Sequence, residues 1–407
     1  MKRILIYSQS TIAKDPRVYK QVVRLSRDYE VVTIGYGTLN LANVKCLDIQ
    51  SGEIQQQIKG LFNKILNAIS EKRLAYVIVF HISRVLPAWF PFKRTKIKDF
   101  LIINGKNSRT VRNVLKEEPI DLIIANDFTG LPVCAAAAAT MKVKLLYDAH
   151  EYTVGQSNHD SKWAKERLPY IRYALNKYLH KCERVTTVCD SIAKEYQITF
   201  GIPLPTVIKN AAPYNDLLPQ DIHGDKIKLV HHGLALRQRA IEDMIKVVEL
   251  LDSRYELYLY LVFKDMEYFS ELKKMAAVSG RVFFMEPVPL AQITSTLNLY
   301  DIGLYILPPT NFNQLNALPN KLFEFIQARL AIAIAPSPEM SALVEKYELG
   351  VIAGDFSPES MAKVISSLDD EAIQRYKQNS HSCAKDLSAE LEMEKFVGIV
   401  EDLVNSK

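Results

Sequence analysis

Short apolar runs alternate with segments of helical periodicity throughout the first half of the chain. The runs have the length of buried strands, and the segments between them repeat apolar side chains every three to four positions. The candidate strands are Ile4–Tyr7, Val31–Ile34, Leu122–Ala125, Leu145–Tyr147 and Val185–Val188, and the candidate helices are Arg17–Arg27, Thr110–Glu117, Gly130–Thr140 and Leu168–Lys181. Strands that alternate with helices predict βαβ units and a parallel sheet.

The alternation of strand-like runs and helical segments is interrupted once. Residues Gly201–Pro205 hold one glycine and two prolines, and Pro213, Pro219 and Gly224 follow, which is typical of a linker. The later strand-like runs are Lys228–His231, Glu256–Val262, Val282–Phe284, Ile302–Tyr305, Ala331–Ala335 and Gly350–Ile352. We therefore predict an α/β protein with two Rossmann-like, doubly wound domains and an interdomain cleft. The expected domains are 1–205 and 206–386, and 387–407 is expected to be a helix that packs back toward the first domain.

Length and composition agree with this organisation. A chain of 407 residues fits two domains better than one core, and 48% hydrophobic with 24% charged residues is typical of a soluble protein. No apolar run reaches the roughly 18 residues of a transmembrane helix. The five cysteines are odd in number and lack C-x-x-C spacing, and the histidines form no H-E-x-x-H pattern. These features favour a reducing cytoplasm and indicate no metal site.

Charge is distributed unevenly. Residues 1–205 hold 31 Lys and Arg against 18 Asp and Glu, a net +13, and the remainder holds 20 against 28, a net −8, which together give +5. From Arg84 to Arg112 there are eight basic residues and one acid, Asp99. The residues that we expect to contact an anionic membrane surface or the acceptor are Trp89, Phe90, Phe92, Lys93, Arg94, Lys96 and Lys98. A buried aromatic cluster beside a solvated basic helix is the alternative, and nucleic acid is the weaker rival.

The segment Asn316–Ile326 predicts a loop that turns into a helix. Pro319 suits the first helical turn, and Lys321 and Glu324 share one face near the helix N-terminus. Free N–H groups there suit a phosphate, and a carboxylate one turn further can accept hydrogen bonds from sugar hydroxyls. This combination favours a nucleotide-sugar site, whereas the alternative is an ordinary surface ion pair.

Two strand ends carry further candidate chemistry. The run His231–Ile241 leaves a strand through Gly233 and continues into a loop with Arg237 and Arg239, whose guanidinium groups could clamp a diphosphate. The run Leu145–Tyr152 ends in Asp148, His150 and Glu151, and Asn126-Asp127 ends the preceding strand in the same way. Because active sites of open α/β sheets lie at the carboxyl ends of strands, both are candidate sites.

These segments occur in the order seen in GT-B glycosyltransferases of the retaining family-4 type, which the chain resembles over nearly its whole length. The motifs that carry the resemblance are Asp15–Val18 (D-P-R-V), Tyr147–Glu151 (Y-D-A-H-E), Thr187–Ala193 (T-V-C-D-S-I-A), Val207–Asn210 (V-I-K-N), Gly233–Ala240 and Pro319–Phe325 (P-N-K-L-F-E-F). Each motif is weak alone, and their order carries the assignment.

The resemblance implies transfer of a sugar from a UDP- or GDP-sugar to a lipid-linked or cell-surface polysaccharide acceptor, with retention and without a metal or other cofactor. The expected location is the cytoplasmic face of the cell membrane. By resemblance, Glu324 would hold the ribose, and Arg239 with Lys321 nearby would face the diphosphate. The turn Glu286–Val288 would meet the base through its main chain. The other expected donor-site residues are Gly233, Arg237, Asn316, Pro319, Asn320 and Leu322, and the expected catalytic residues are His150, Asp127 and Glu151.

The chain also departs from the family pattern. Many relatives carry a second glutamate where Asn316 stands, and a glycine pair after the first strand where Ser8–Thr11 stands. A nucleotide-sugar 2-epimerase of the same fold and a catalytically silent glycan- or partner-binding subunit therefore remain alternatives. An NAD-dependent enzyme is disfavoured, because no G-x-G-x-x-G follows any strand.

Overall fold

The computed structural model describes residues 1–49, 91–157, 161–222 and 224–406. The chain forms two compact units. The first consists of Met1–Val188, Ile192–Ile208 and Lys395–Lys407, and the second of Cys189–Ser191 and Lys209–Glu394. The last helix thus begins in the second unit and ends in the first. Both units are α/β with parallel sheets, which confirms the fold class that the alternation of strands and helices predicts.

The described part of the first unit has a seven-stranded parallel sheet in the order β3-β2-β1-β4-β5-β6-β7. Its strands are β1 (Arg3–Thr11), β2 (Glu30–Tyr36), β3 (Val44–Asp48), β4 (Leu122–Asn126), β5 (Lys144–Ala149), β6 (Arg184–Thr187) and β7 (Thr206–Val207). Its helices are α1 (Pro16–Leu25), α2 (Pro91–Ile103), α3 (Lys106–Glu117), α4 (Asp127–Met141), α5 (Lys162–Tyr178) and α6 (Asp190–Phe200). The strand order reverses between β1 and β4, where a crevice opens at the carboxyl ends.

The described part of the second unit has a six-stranded parallel sheet in the order β10-β9-β8-β11-β12-β13. Its strands are β8 (Ile227–Ala235), β9 (Tyr255–Phe263), β10 (Val282–Met285), β11 (Ile302–Tyr305), β12 (Ala331–Ile334) and β13 (Gly350–Ile352). Its helices are α7 (Ile241–Leu250), α8 (Met266–Ser279), α9 (Ile293–Leu297), α10 (Phe312–Leu315), α11 (Asn320–Gln327), α12 (Pro338–Tyr347), α13 (Pro358–Ser366), α14 (Asp370–Cys383) and α15 (Ala389–Asn405). Here the order reverses between β8 and β11.

Two family motifs of the first unit meet in a buried ion pair. Asp15 caps α1 by accepting hydrogen bonds from two backbone N–H groups, and Pro16 occupies the first helical turn. The helix thereby directs Arg17 onto Asp148 at the end of β5, with Nε–Oδ2 and Nη2–Oδ1 distances of 2.7 and 2.6 Å. Arg17 Nη1 also donates to the carbonyl of Ile208, 2.7 Å away. Helix α1, β5 and the segment after β7 are held at one point.

The Asp148 carboxylate has further donors that keep it charged. Gln21 Nε2 lies 2.6 Å from Oδ2 and Thr186 Oγ1 lies 2.7 Å from Oδ1. Burial alone would raise the pKa of Asp148, but Arg17 and the hydrogen bonds lower it well below its ordinary value. The pair is therefore fully ionised at neutral pH.

The Arg17→Met variant should lose about 3–5 kcal/mol of unfolding free energy, because a buried carboxylate would be left without its cation. Urea unfolding of the full chain, followed by circular dichroism, measures this loss. Arg24→Met on the same helix is the matched control, because Arg24 forms an ion pair with the half-exposed Asp28, and its loss should stay below about 1 kcal/mol. Equal losses in the two variants would contradict this account.

Candidate functional site

In the second unit, the end of β8 and the start of α11 meet around the Lys321 side chain. Gly233 has a φ of +122°, and a Cβ atom built on it would lie 2.6 Å from Lys321 Nζ. The Nζ atom lies 5.7 Å from the centre of the Tyr305 ring, at the end of β11. Glycine at position 233 therefore provides both the backbone conformation and the space that the ammonium group requires.

Lys321 carries a buried positive charge. The residue is only 9% exposed. Burial and the neighbouring Arg239 lower the pKa of Lys321 to about 8, and Glu324 partly offsets them. Within the described part of the chain, the Arg239 guanidinium donates one long hydrogen bond, 3.4 Å, to the carbonyl of Leu234. Among the described residues, no carboxylate forms an ion pair with Lys321 or Arg239, so the site has an excess of positive charge.

Glu324 lies one turn further along α11 and is 8% exposed. Its Oε2 atom is 3.1 Å from His232 Nε2, but the angles are not those of a hydrogen bond. Since Lys321 and Glu324 are both more than nine-tenths buried, the alternative of a surface ion pair is wrong. The two side chains belong to a recessed site at the carboxyl ends of β8 and β11.

The structure separates the two arginines of the loop that follows β8, Arg237 and Arg239. Arg237 is half-exposed, and its guanidinium nitrogens lie 2.6 and 2.8 Å from the two carboxylate oxygens of Glu271 and 3.3 Å from Asp265 Oδ2. These carboxylates already neutralise Arg237. Arg239 is therefore the arginine of this loop that is available to an anion.

The remaining predicted donor residues occupy varied environments. Asn316 is buried, and its Nδ2 donates to the carbonyl of Phe312 at 2.9 Å. Pro319 is the N-cap residue, and the helix begins at Asn320, one position later than the sequence suggests. Leu322 lies in the core, and Val288 is half-buried in the loop after β10.

His231 is a neighbour of the site that sequence reasoning did not single out. It is fully buried, and its ring stacks on Tyr305 with a centroid distance of 5.8 Å. Burial, Lys321 and His232 lower its pKa well below the ordinary value. The neutral ring donates from Nδ1 to the carbonyl of Leu304, 3.0 Å away. The only sequence signal was a pair of histidines at a strand end.

In the first unit, a cavity of 710 Å³ opens at the carboxyl ends of β1, β4 and β5. Strand-end residues form one part of its lining, and residues of α2 and α5 form another. The lining consists of Ser8, Gln9, Ser10, Lys98, Ile102, Asp127, Phe128, Thr129, Pro132, His150, Glu151, Thr153, Gln156, Trp163, Arg167, Tyr170 and Ile171. The structure thus brings together all three predicted catalytic residues.

His150 is held in this cavity by polar groups from two strand ends. Its Nδ1 is 3.2 Å from Asp127 Oδ2, and its Nε2 is 3.0 Å from Asn126 Oδ1 and 3.6 Å from Asp148 Oδ2. Burial alone would lower the pKa of His150, but Asp127 and Asp148 raise it above the ordinary value. The imidazole therefore favours its charged form, which donates hydrogen bonds from both nitrogens.

Asp127 and Glu151 have the features of carboxyls in a functional site. Asp127 has a φ of +57°, in the left-handed region, at the first position of α4. Such conformations cost free energy and persist where surrounding contacts impose them. Burial is the largest effect that raises the pKa of both carboxyls, although the Asp127 side chain is partly open to the cavity.

The predicted membrane segment is only partly visible. Trp89 and Phe90 lie outside the described residues, and the side chains of Phe92, Lys93 and Arg94 are likewise outside the description. Lys96 is exposed on α2. Lys98 lines the cavity.

Two searches of the described residues gave no candidates. No helix there is long and apolar enough to cross a membrane. Within the same residues, no group of three His, Cys, Asp or Glu side chains could hold a metal ion.

The Asp127→Asn variant should lower the pKa of His150, because the nearest carboxylate is removed. Proton NMR of the eight histidines measures this, with the His150 signal assigned from its absence in His150→Gln. Asp28→Asn, which removes a carboxylate elsewhere in the same unit, should leave the signal unchanged. A wild-type pKa at or below 6.5 would refute the arrangement.

Residues 71–213 match the family model described as Glycosyltransferase Family 4. No curated protein sequence matches the chain. The fold resembles that of Anabaena Alr3699/HepE in complex with UDP and glucose, with a TM-score of 0.66 and 14% identity over 99% of this chain and 100% of that one.

Other solved structures agree with this fold. A glycosyltransferase from Rickettsia africae has a TM-score of 0.69 and 11% identity over 100% of this chain and 99% of that one. Sucrose-phosphate synthase from Thermosynechococcus elongatus has a TM-score of 0.68 and 11% identity over 98% of this chain and 99% of that one. At these identities the likeness establishes the fold, and the family model matches only part of the chain. The chain therefore has the GT-B fold, and residues 71–213 resemble the glycosyltransferases of family 4.

Proposed function

We propose that the chain is a glycosyltransferase whose donor is a nucleotide-diphosphate sugar, a UDP- or GDP-sugar, bound in the second unit. The observation that carries the proposal is the excess positive charge of Lys321 and Arg239 beside the N-terminus of α11. A diphosphate supplies two or more negative charges at one place. It would neutralise both cations and reverse the unfavourable effect of Arg239 on Lys321.

The first turn of α11 adds to this attraction. The first N–H groups of a helix have no intrahelical acceptor, and the helix dipole favours an anion at this end. Glu324, one turn further in, is placed to accept hydrogen bonds from the ribose hydroxyls. Fixed cations and N–H dipoles would also stabilise the nucleoside diphosphate as it leaves the sugar, since they need no reorganisation when charge develops. In this proposal no metal is required for that charge.

The acceptor belongs in the cavity of the first unit. A protonated His150 can donate a hydrogen bond to a sugar oxygen, and the carboxyls of Asp127 and Glu151 can accept from hydroxyl groups. We infer transfer with retention to a lipid-linked or cell-surface glycan acceptor at the cytoplasmic membrane face. The family-4 match and the basic segment of α2 support this inference.

Glu324→Ala and Arg239→Ala should each lower sugar transfer on the order of a hundredfold, because each removes a charged contact with the bound donor. The assay measures release of UDP or GDP from a panel of nucleotide-sugars with a membrane-glycan extract as acceptor. Arg254→Ala, which removes an arginine that pairs with Asp370 in the same unit, is the control and should retain activity. Unchanged transfer in both site variants would overturn the donor site.

The same assay separates the alternatives. Interconversion of the free nucleotide-sugar without an acceptor would identify a 2-epimerase. Tight nucleotide-sugar binding without turnover would identify a catalytically silent binding subunit. This alternative is considered because Asn316 stands where many relatives have a second acid.

Nucleotide affinity should fall as the pH rises through about 8, the pKa of Lys321 in the free protein. A bound diphosphate favours the charged ammonium, so binding takes up a proton above this pH. Affinity should fall on the order of tenfold between about pH 7.5 and 9.5. Calorimetric titration with UDP and GDP measures it. Lys321→Met should bind more weakly and lose this pH dependence, whereas the same slope in both proteins would exclude Lys321 from the diphosphate site.

Membrane association is tested separately. Sedimentation with anionic vesicles should decrease at high salt, because counterions screen the attraction. Replacing Lys93, Arg94 and Lys96 by glutamine should weaken binding by about 1 kcal/mol per cation. The matched triple variant, in which the exposed Lys264, Lys273 and Lys274 of the second unit become glutamine, should bind as the wild type does. Absence of binding at low salt would remove the membrane from the proposal.

A further inference from the structure

We propose that the acceptor carries a phosphate group, which Arg167 and Lys98 bind, while its sugar ring packs on Trp163 and Tyr170. This inference rests on the proposed function, because it names the chemical class of the acceptor in the first-unit cavity. The phosphate could belong to a free phosphosugar or to a lipid-linked sugar, and the experiment below distinguishes these sources.

One wall of the cavity is a single face of α5. Trp163, Arg167, Tyr170 and Ile171 all line the cavity, and their spacing of three to four residues places them on one side of a helix. The Arg167 guanidinium carbon lies 5.6 Å from the centre of the Trp163 ring. A cation and a flat apolar surface therefore lie side by side, as recognition of a charged sugar requires.

Helix α2 supplies the second cation of this wall. Lys98 Nζ lies 4.8 Å from the centre of the Tyr170 ring. The next residue, Asp99, is buried and accepts hydrogen bonds from Tyr178 at 2.9 and 3.0 Å and an ion pair from Lys177, both on α5. This contact fixes α2 against α5, and it therefore also fixes the position of Lys98 in the cavity lining.

The charges of the cavity are segregated. Asp127 and Glu151 come from the strand ends, whereas Lys98 and Arg167 come from the helical wall. Among the described residues, no carboxylate forms an ion pair with Arg167. A neutral sugar offers no charge to pair with the Arg167 guanidinium, whereas a phosphate can accept two parallel hydrogen bonds from it. The volume of 710 Å³ lies in the range of small-ligand sites, roughly 300–1,000 Å³.

The side chain of Trp163 provides a direct readout. The chain has two tryptophans, Trp89 and Trp163, so a Trp89→Phe background leaves Trp163 as the sole indole emitter. In this background, Trp163 emission is titrated with glucose 6-phosphate and with glucose. A second arm uses phosphatidylcholine vesicles that contain either phosphatidylinositol or a glycosyl diacylglycerol; both additives carry a ring of hydroxyl groups, but only phosphatidylinositol links it to the lipid through a phosphate.

We expect at least one phosphate-bearing probe to bind at least tenfold more tightly than the phosphate-free probe of the same arm. The affinity is taken from the midpoint of the emission titration, not from its amplitude. Arg167→Gln should abolish this preference. Arg172→Gln, an exposed arginine of α5 that does not line the cavity, should retain it. A preference for glucose 6-phosphate alone identifies a free phosphosugar, and a preference for phosphatidylinositol alone identifies a lipid source; either supports the proposal.

Two results would overturn it: equal affinity for the charged and neutral probes in both arms, or equal behaviour of the Arg167 and Arg172 variants. Binding of UDP and GDP to the same variants separates this failure from that of the proposed function. If nucleotide binding is intact but no phosphate preference is found, only the proposed acceptor class is wrong. If the wild type neither binds a nucleotide nor transfers a sugar, the proposed function is wrong.

Discussion

The central electrostatic constraint is the buried charge of Lys321, which no described residue compensates with an ion pair or a hydrogen bond. The other buried Lys and Arg side chains in the described part of the chain all have compensating partners. Arg17 pairs with Asp148, Lys377 pairs with Asp301, and Arg329 donates to the carbonyls of Asn215 and Gln327. Lys321 differs from them. A protein keeps such a charge at a cost in stability, and a bound anion would offset that cost.

In the first unit, by contrast, the central buried charges compensate each other. Its central ion pair, Arg17 with Asp148, is fully satisfied and therefore structural, yet Asp148 also lies 3.6 Å from His150. One carboxylate thus anchors α1 and helps to set the pKa of a cavity histidine. The D-P-R-V and Y-D-A-H-E motifs, far apart in sequence, thus meet at this carboxylate.

Much of this architecture could be predicted from the sequence, because buried parallel strands are continuous apolar runs. The exceptions have physical causes. Strand β3 lies at the sheet edge and is half-exposed, and β7 has two residues, so neither shows an apolar run. The sequence also could not separate Arg237 from Arg239, since Glu271 reaches Arg237 only through the packing of α8. Lys98 was predicted to contact the membrane or the acceptor, and only the fold shows that it lines the cavity.

We propose that Lys321 holds the diphosphate of a nucleotide. The most direct test compares nucleoside mono- and diphosphates, of uridine or guanosine, whichever binds more tightly, in the wild type and in Lys321→Met. We expect the second phosphate to strengthen binding to the wild type on the order of tenfold, about 1.4 kcal/mol. We also expect this gain to disappear in Lys321→Met while the monophosphate affinity changes little. An equal gain from the second phosphate in both proteins would contradict the account.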